Sequence, residues 1–210
     1  QFRPVSEESR LRGPEPVVAL APPGARPRAY PIQILIWHDI VNDEIGGRKV
    51  AVTFCPLCNT AVVFDRVVDG RELTFGTTGN LRRSDLVMWD RQTESWWQQF
   101  SGEALVGELT GTQLGLVASQ LISWADFRER FPEGEVLTRD TGNPRDYGRN
   151  PYPGYDALGS EPFLLDENAP RDRRLPPKER VVTLGSGADL VAVPFSRLRE
   201  EPVINLRAGG

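Results

Sequence analysis

A chain of 210 residues is long enough for one large domain or two small ones with a sizeable core. Its 25 basic and 29 acidic residues leave a net charge of −4, which removes the electrostatic footing that nucleic-acid binding needs. Two cysteines, one histidine and one methionine exclude a disulfide scaffold, a four-cysteine zinc site and any chemistry that requires two histidines.

Residues 1–28 are rich in proline and charge, with one short apolar run at Val17–Leu20, and read as an extended arm leading into a first strand. Residues 29–210 read as a single β-rich domain. Lys49 to Phe54 alternates, Thr60 to Val68 is β-branched, and Asp69-Gly70 is a two-residue hairpin signal before Arg71 to Phe75. Asp85–Asp90, Ser95–Phe100, Ala104–Leu109 and Leu114–Val117 continue as short strands between glycine-containing turns. Ser123-Trp124-Ala125-Asp126 is a capping box for a short helix from Trp124 to Phe131, stopped by Pro132. Residues 140–180 form a long irregular covering loop, and Val181–Leu184 resumes as a strand. Gln1 in place of methionine points to a processed or trimmed chain. No stretch approaches the ~20 apolar residues of a membrane span.

The two ends repeat each other. Val17-Val18-Ala19-Leu20 matches Val181-Val182-Thr183-Leu184, Ala29-Tyr30-Pro31-Ile32 matches Ala192-Val193-Pro194-Phe195, and Gly46-Gly47 matches Gly209-Gly210. Residues 181–210 therefore read as a second copy of the 17–47 unit, produced by internal duplication. His38 falls opposite Glu201, so the repeated framework does not need a histidine. In the first copy Gly46-Gly47 turns into the strand Arg48 to Phe54. The second copy lacks that return strand, so either the chain continues past Gly210 or a strand edge near it is left for another chain to pair.

Cys55-Pro56-Leu57-Cys58 lies between two expected strands, a knuckle that can turn two thiolates onto one metal. His38 is the candidate third ligand, and Met88, Asp85, Asp39 or water the fourth. Two thiolates with an imidazole and a thioether select copper(I) or zinc over magnesium or calcium. Two other readings stay open: a Cys55–Cys58 disulfide, or free thiols packed as small hydrophobes. Haem attachment is disfavoured because Asn59, not histidine, follows Cys58. A thioredoxin-type motif should open a helix, whereas Thr60 opens a strand. No Walker loop or Rossmann glycine fingerprint is present, so no nucleotide is expected. Trp89, Trp96 and Trp97 are either a ligand platform or alternating core residues.

Several motifs together resemble the prokaryotic domain-of-unknown-function family 3179, from about Val17 to the C-terminus. They include Trp37-His38-Asp39-Ile40-Val41-Asn42-Asp43, Val52-Thr53-Phe54-Cys55-Pro56-Leu57-Cys58, Ser84-Asp85-Leu86-Val87-Met88-Trp89-Asp90-Arg91 and Ser95-Trp96-Trp97-Gln98-Gln99. The resemblance implies an extracytoplasmic protein, because members look exported or lipid-anchored, and it brings no established activity.

The expected fold is mainly β, a compact multi-stranded domain with one or two short helices. The expected function is metal binding (copper or zinc) or redox chemistry through His38, Cys55, Cys58 and Met88. The alternative is a structural subunit of an extracellular fibre or surface layer with a Cys55–Cys58 disulfide. It would assemble as a homo-oligomer through the N-terminal arm and the edge near Gly210.

Overall fold

The computed structural model describes residues 1–164, 172–184 and 191–206. The chain is mainly β and divides into two compact units, Gln1–Tyr152 and Pro153–Gly210. The first unit runs β1 (Phe2–Pro4), a 3-10 turn (Val5–Glu7), β2 (Pro16–Leu20), β3 (Arg28–Pro31), α1 (Ile32–His38), β4 (Ile40–Ile45), β5 (Arg48–Cys55) and β6 (Thr60–Asp65). It continues with β7 (Val67–Val68), β8 (Arg71–Glu72), β9 (Phe75–Arg82), β10 (Asp85–Asp90), β11 (Trp96–Gln98), β12 (Ala104–Val106), β13 (Gln120–Ser123), α2 (Trp124–Arg130) and β14 (Glu135–Leu137). The second unit contains β15 (Val181–Leu184), β16 (Val191–Pro194) and α3 (Phe195–Glu200).

The stretch expected as an extended arm is folded into a sheet. β1 pairs with β14 and β2 with β3 and β13, in a five-stranded sheet of order β1-β14-β3-β2-β13. The physical reason is burial: Val5 and Val17–Leu20 are core residues, whereas Pro4 and Pro16 sit at strand ends where a missing N–H costs little. The hydrogen-bonding groups of the arm are thereby used within its own chain.

β5 positions the candidate site. It lies between β4 and β6, and both its faces are buried. Val50, Val52 and Phe54 enter one apolar cluster with Leu20, Tyr30 and Leu35. Ala51 and Cys55 enter a second cluster with Phe64, Phe75, Met88 and Trp97. Period-two alternation thus fixes the direction of the Cys55 side chain. The second cluster is closed by the sheet β12-β11-β10-β9.

Some expectations shift. Thr60–Val68 is broken at Arg66 into β6 and β7, and Leu114–Val117 contributes only one isolated bridge, Leu116 to Phe64. Asp69 and Gly70 take φ of 50° and 78°, the mirror-image turn their sequence predicts. The Ser123 hydroxyl caps α2, accepting from the Asp126 N–H at 3.1 Å and donating to the Asp126 carboxylate at 2.7 Å. Ser123→Ala is expected to cost about 1 kcal/mol, read as a lower denaturation midpoint at constant slope.

In the second unit, β15 pairs with β16 from Val181↔Pro194 to Leu184↔Val191. In the first unit β2 pairs with β3 from Val17↔Pro31 to Leu20↔Arg28, the same register under the alignment of the two ends. Each hairpin runs directly into a short helix capped by proline at Pro31 or Pro194. Gly209-Gly210 and the expected edge beside them lie outside the described residues.

Candidate metal and thiol site

The loop Pro56-Leu57-Cys58-Asn59 joins β5 to β6, whose last paired residues are Cys55 and Thr60. Asn59 closes it at a φ of 51°, a conformation asparagine tolerates better than most residues. Asp85 reaches the same place from β10. Its hairpin with β9 turns through Arg83 and Ser84, both at positive φ (53° and 62°) without glycine. Two non-glycine residues held there mark a turn imposed by its surroundings.

The two sulfurs and one Asp85 carboxylate oxygen all lie within 4.8 Å of one another, a grouping able to hold a metal ion. Both cysteines are free thiols, so the disulfide expectation is not realised in this structure. The Cys58 thiol donates to Asp85 Oδ1 at 3.2 Å. Asp85 Oδ2 accepts from the Phe100 N–H at 3.0 Å and also from the Gln98 side-chain amide. Oδ2 is therefore occupied by fixed donors, and Oδ1 is left for the cysteine pair. Outer-shell contacts of this kind orient a carboxylate ligand. Asp85 is buried, and among the described residues no lysine or arginine pairs with it.

The thiols titrate as a pair. A hydrogen bond from Cys58 holds the Cys55 thiol below the ordinary cysteine range, against the opposing effect of burial. That same hydrogen bond, followed by burial and the Cys55 charge, pushes the Cys58 thiol far above it. The first proton to leave is that of Cys55.

His38 is not part of this group. Its Nε2 lies 2.6 Å from the Tyr147 hydroxyl, which lies 2.6 Å from the Thr141 hydroxyl, so the ring ties the 141–147 loop to the end of α1. Burial, then the charge of Arg145, lowers the His38 pKa. Met88 is fully buried in the apolar cluster that also holds Cys55, a core position. Asp85, one of the candidates for a fourth ligand, takes the place expected for the histidine.

Asp39, the residue after His38, lines a cavity of about 150 Å³ with Cys55, Asn80, Leu81, Leu86 and Tyr152. It stands at a φ of 58°, held by hydrogen bonds from its N–H to Leu35 O (2.7 Å) and from the Phe54 N–H to its own carbonyl (2.8 Å). Burial alone pushes its carboxyl up to about 7. No ammonium or guanidinium pairs with it among the described residues.

The tryptophans do not form a common platform. Trp97 is buried and donates from Nε1 to Asp90 Oδ2 at 2.9 Å. Trp89 and Trp96 face each other across β10 and β11, and the Arg91 guanidinium stacks 5.3 Å from the Trp89 ring.

Two thiols and a buried carboxylate, brought together by the β5–β6 turn and the β9–β10 hairpin, form a group that could hold a metal ion. The chain belongs to the family described as Protein of unknown function (DUF3179), whose match covers residues 1–210. No curated protein and no solved structure matches it. Among the described residues, no helix is long and apolar enough to cross a membrane.

Proposed function

We propose that this is an extracytoplasmic metal-binding protein that holds one zinc-type cation through Cys55, Cys58 and Asp85. The observation that carries the reading is the convergence of two thiols and an outer-shell-oriented carboxylate within 4.8 Å, beside the apolar cluster that holds Cys55. A buried carboxylate without a cationic partner is electrostatically costly, and a divalent ion between it and two thiolates removes that cost. The carboxylate shifts the preference from copper(I), which suits an all-soft donor set, towards zinc. Three protein ligands leave a fourth position for water or a bound molecule.

The extracytoplasmic placement is supported by the exported character that the family resemblance implies. It also agrees with the chemistry, since in an oxidising compartment a vicinal dithiol stays reduced when a metal covers it. The fibre alternative loses its main motive, because the N-terminal arm pairs inside its own sheet.

Metal analysis of protein purified without chelator should give about one zinc per chain. Asp85→Asn should weaken zinc affinity by roughly 10–100-fold, and Cys58→Ser by at least as much. Metal-free protein carrying a closed Cys55–Cys58 disulfide would overturn the reading.

A further inference from the structure

The cavity beside the cysteine turn is bounded by two backbone features that hold its polar wall in place. Asp39 stands on one side, at a φ of 58° and a ψ of −38° that few non-glycine residues adopt. Its N–H and carbonyl are tied to Leu35 and Phe54, so the root of the side chain is fixed to α1 and β5. On the other side β9 bulges: its pairing with β10 shifts between Thr77 and Leu81, around Gly79 at a φ of 77°. Thr77, Asn80 and Leu81 all line the cavity there, as bulges beside sites commonly re-aim side chains. Leu86 and Tyr152 add apolar and aromatic surface.

This wall suits one kind of guest. The Asp39 carboxylate has no hydrogen bond and no ion pair among the described residues, and burial is the one influence on it. A carboxylate in a partly desolvated place is costly until a cation joins it. Asn80 and Thr77 place oxygen acceptors on the same wall, and the leucines an apolar surface. One negative charge, neutral acceptors and a short apolar wall match a head with several N–H donors on a short alkyl stem. A volume of about 150 Å³ lies below the ~300–1,000 Å³ of sites for larger ligands, so the guest is small.

We infer that this cavity binds a primary alkylammonium, its head on Asp39 and its stem against Leu81 and Leu86. The inference goes beyond metal binding and does not rest on it, since an ammonium has no lone pair to give a metal. No covalent bond forms or breaks. The ammonium donates a charge-assisted hydrogen bond and the Asp39 carboxylate accepts it, in place of the water around both. The fixed backbone of Asp39 lowers the ordering cost of the complex.

The test titrates the reduced, chelator-treated full chain with n-butylamine at pH 8 and follows backbone amides by NMR. At that pH the amine is protonated and Asp39 is largely ionised. Saturable shifts should centre on Asp39 and on Thr77 to Leu81, with a dissociation constant on the order of 1 mM, as suits so small a ligand. Butan-1-ol keeps the stem without the charge and should bind about tenfold more weakly. Ethylamine should also bind about tenfold more weakly, because each buried methylene is worth up to about fourfold. Asp39→Asn should weaken butylamine about tenfold and leave butan-1-ol unchanged. A lysine blocked at both ends carries the same head on a peptide backbone. Affinity equal to that of butylamine assigns the head to a lysine of a partner chain, and a large loss assigns it to a free amine. Shifts that do not saturate, butan-1-ol binding as tightly as butylamine, or undiminished binding to Asp39→Asn would each overturn the inference. Zinc stoichiometry is measured on separate, chelator-free protein, so failure of one proposal is distinguishable from failure of the other.

Discussion

Trp97→Ala is expected to lower unfolding stability by about 4 kcal/mol. Trp97 is fully buried among Phe75, Leu86 and Met88, with its ring edge-on to Phe75 at 5.8 Å between centroids. Truncation removes this packing and leaves a cavity that the flanking strands β10 and β11 cannot collapse. It also withdraws the indole N–H from Asp90, a fully buried carboxylate whose remaining hydrogen bonds come from Thr93. Trp97→Phe keeps most of the volume and loses the hydrogen bond, and should cost about 2 kcal/mol. Guanidinium unfolding of the three proteins separates the two contributions, provided the slope is unchanged. Equal losses for Phe and Ala would show that the Asp90 hydrogen bond, rather than packing, dominates.

Asp39→Asn is expected to stabilise the protein at alkaline pH and to have little effect in acid. The folded pKa of about 7 stands above the unfolded value near 3.8, so the folded state holds its proton more tightly. The stabilising contribution of the protonated carboxyl is complete below about pH 4 and is lost progressively as pH rises through 7. Above that, wild type carries an ionised carboxylate facing Cys55 and Tyr152 in a largely desolvated place. Asparagine tolerates the positive φ and removes the charge. Discounted for the solvent that the cavity admits, the gain at pH 8 is about 2 kcal/mol. Thermal unfolding from pH 4 to 9 should show the two proteins diverging between pH 5 and 8. Parallel curves would show that Asp39 is already ionised at low pH.

The sequence made the central hairpins legible because their signals are local. β5 alternates, Gly46-Gly47 and Asp69-Gly70 are turns written in two residues, and Ser123 announces α2. α1 was hidden because Ile32-Gln33-Ile34-Leu35-Ile36 has the β-branched look of a strand. Its helical form follows from Pro31 at its start and from burying Ile34 and Leu35 on one face. β13 was hidden for a different reason: Gln120–Ser123 is short and polar at its start, and its partner β2 is distant in sequence. The candidate site divides in the same way. Cys55 and Cys58 share one turn and could be read together. Asp85 is brought to them by the β9–β10 hairpin, and its orientation depends on Gln98 and Phe100 from β11 and the turn after it. His38 drew attention because it is the one histidine, yet the backbone kink that follows it turns its neighbour Asp39 to the cavity.

Phe2 pairs with Leu137, and Val18 pairs with Leu121. The outer sheet is thus written at the two ends of the first unit, with β4 to β12 between them. On a ribosome, the hairpins of the cysteine turn and of Asp85 emerge complete while β1 and β2 still lack two of their partner strands. Local pairings close first and distant ones later, because a long loop must be ordered before a distant pairing rewards it. The thiol centre is therefore assembled early, against an unfinished sheet whose edges are open. A chain arrested before Gln120 should hold the cysteines and Asp85 together while leaving the Val17–Leu20 edge open to chaperones.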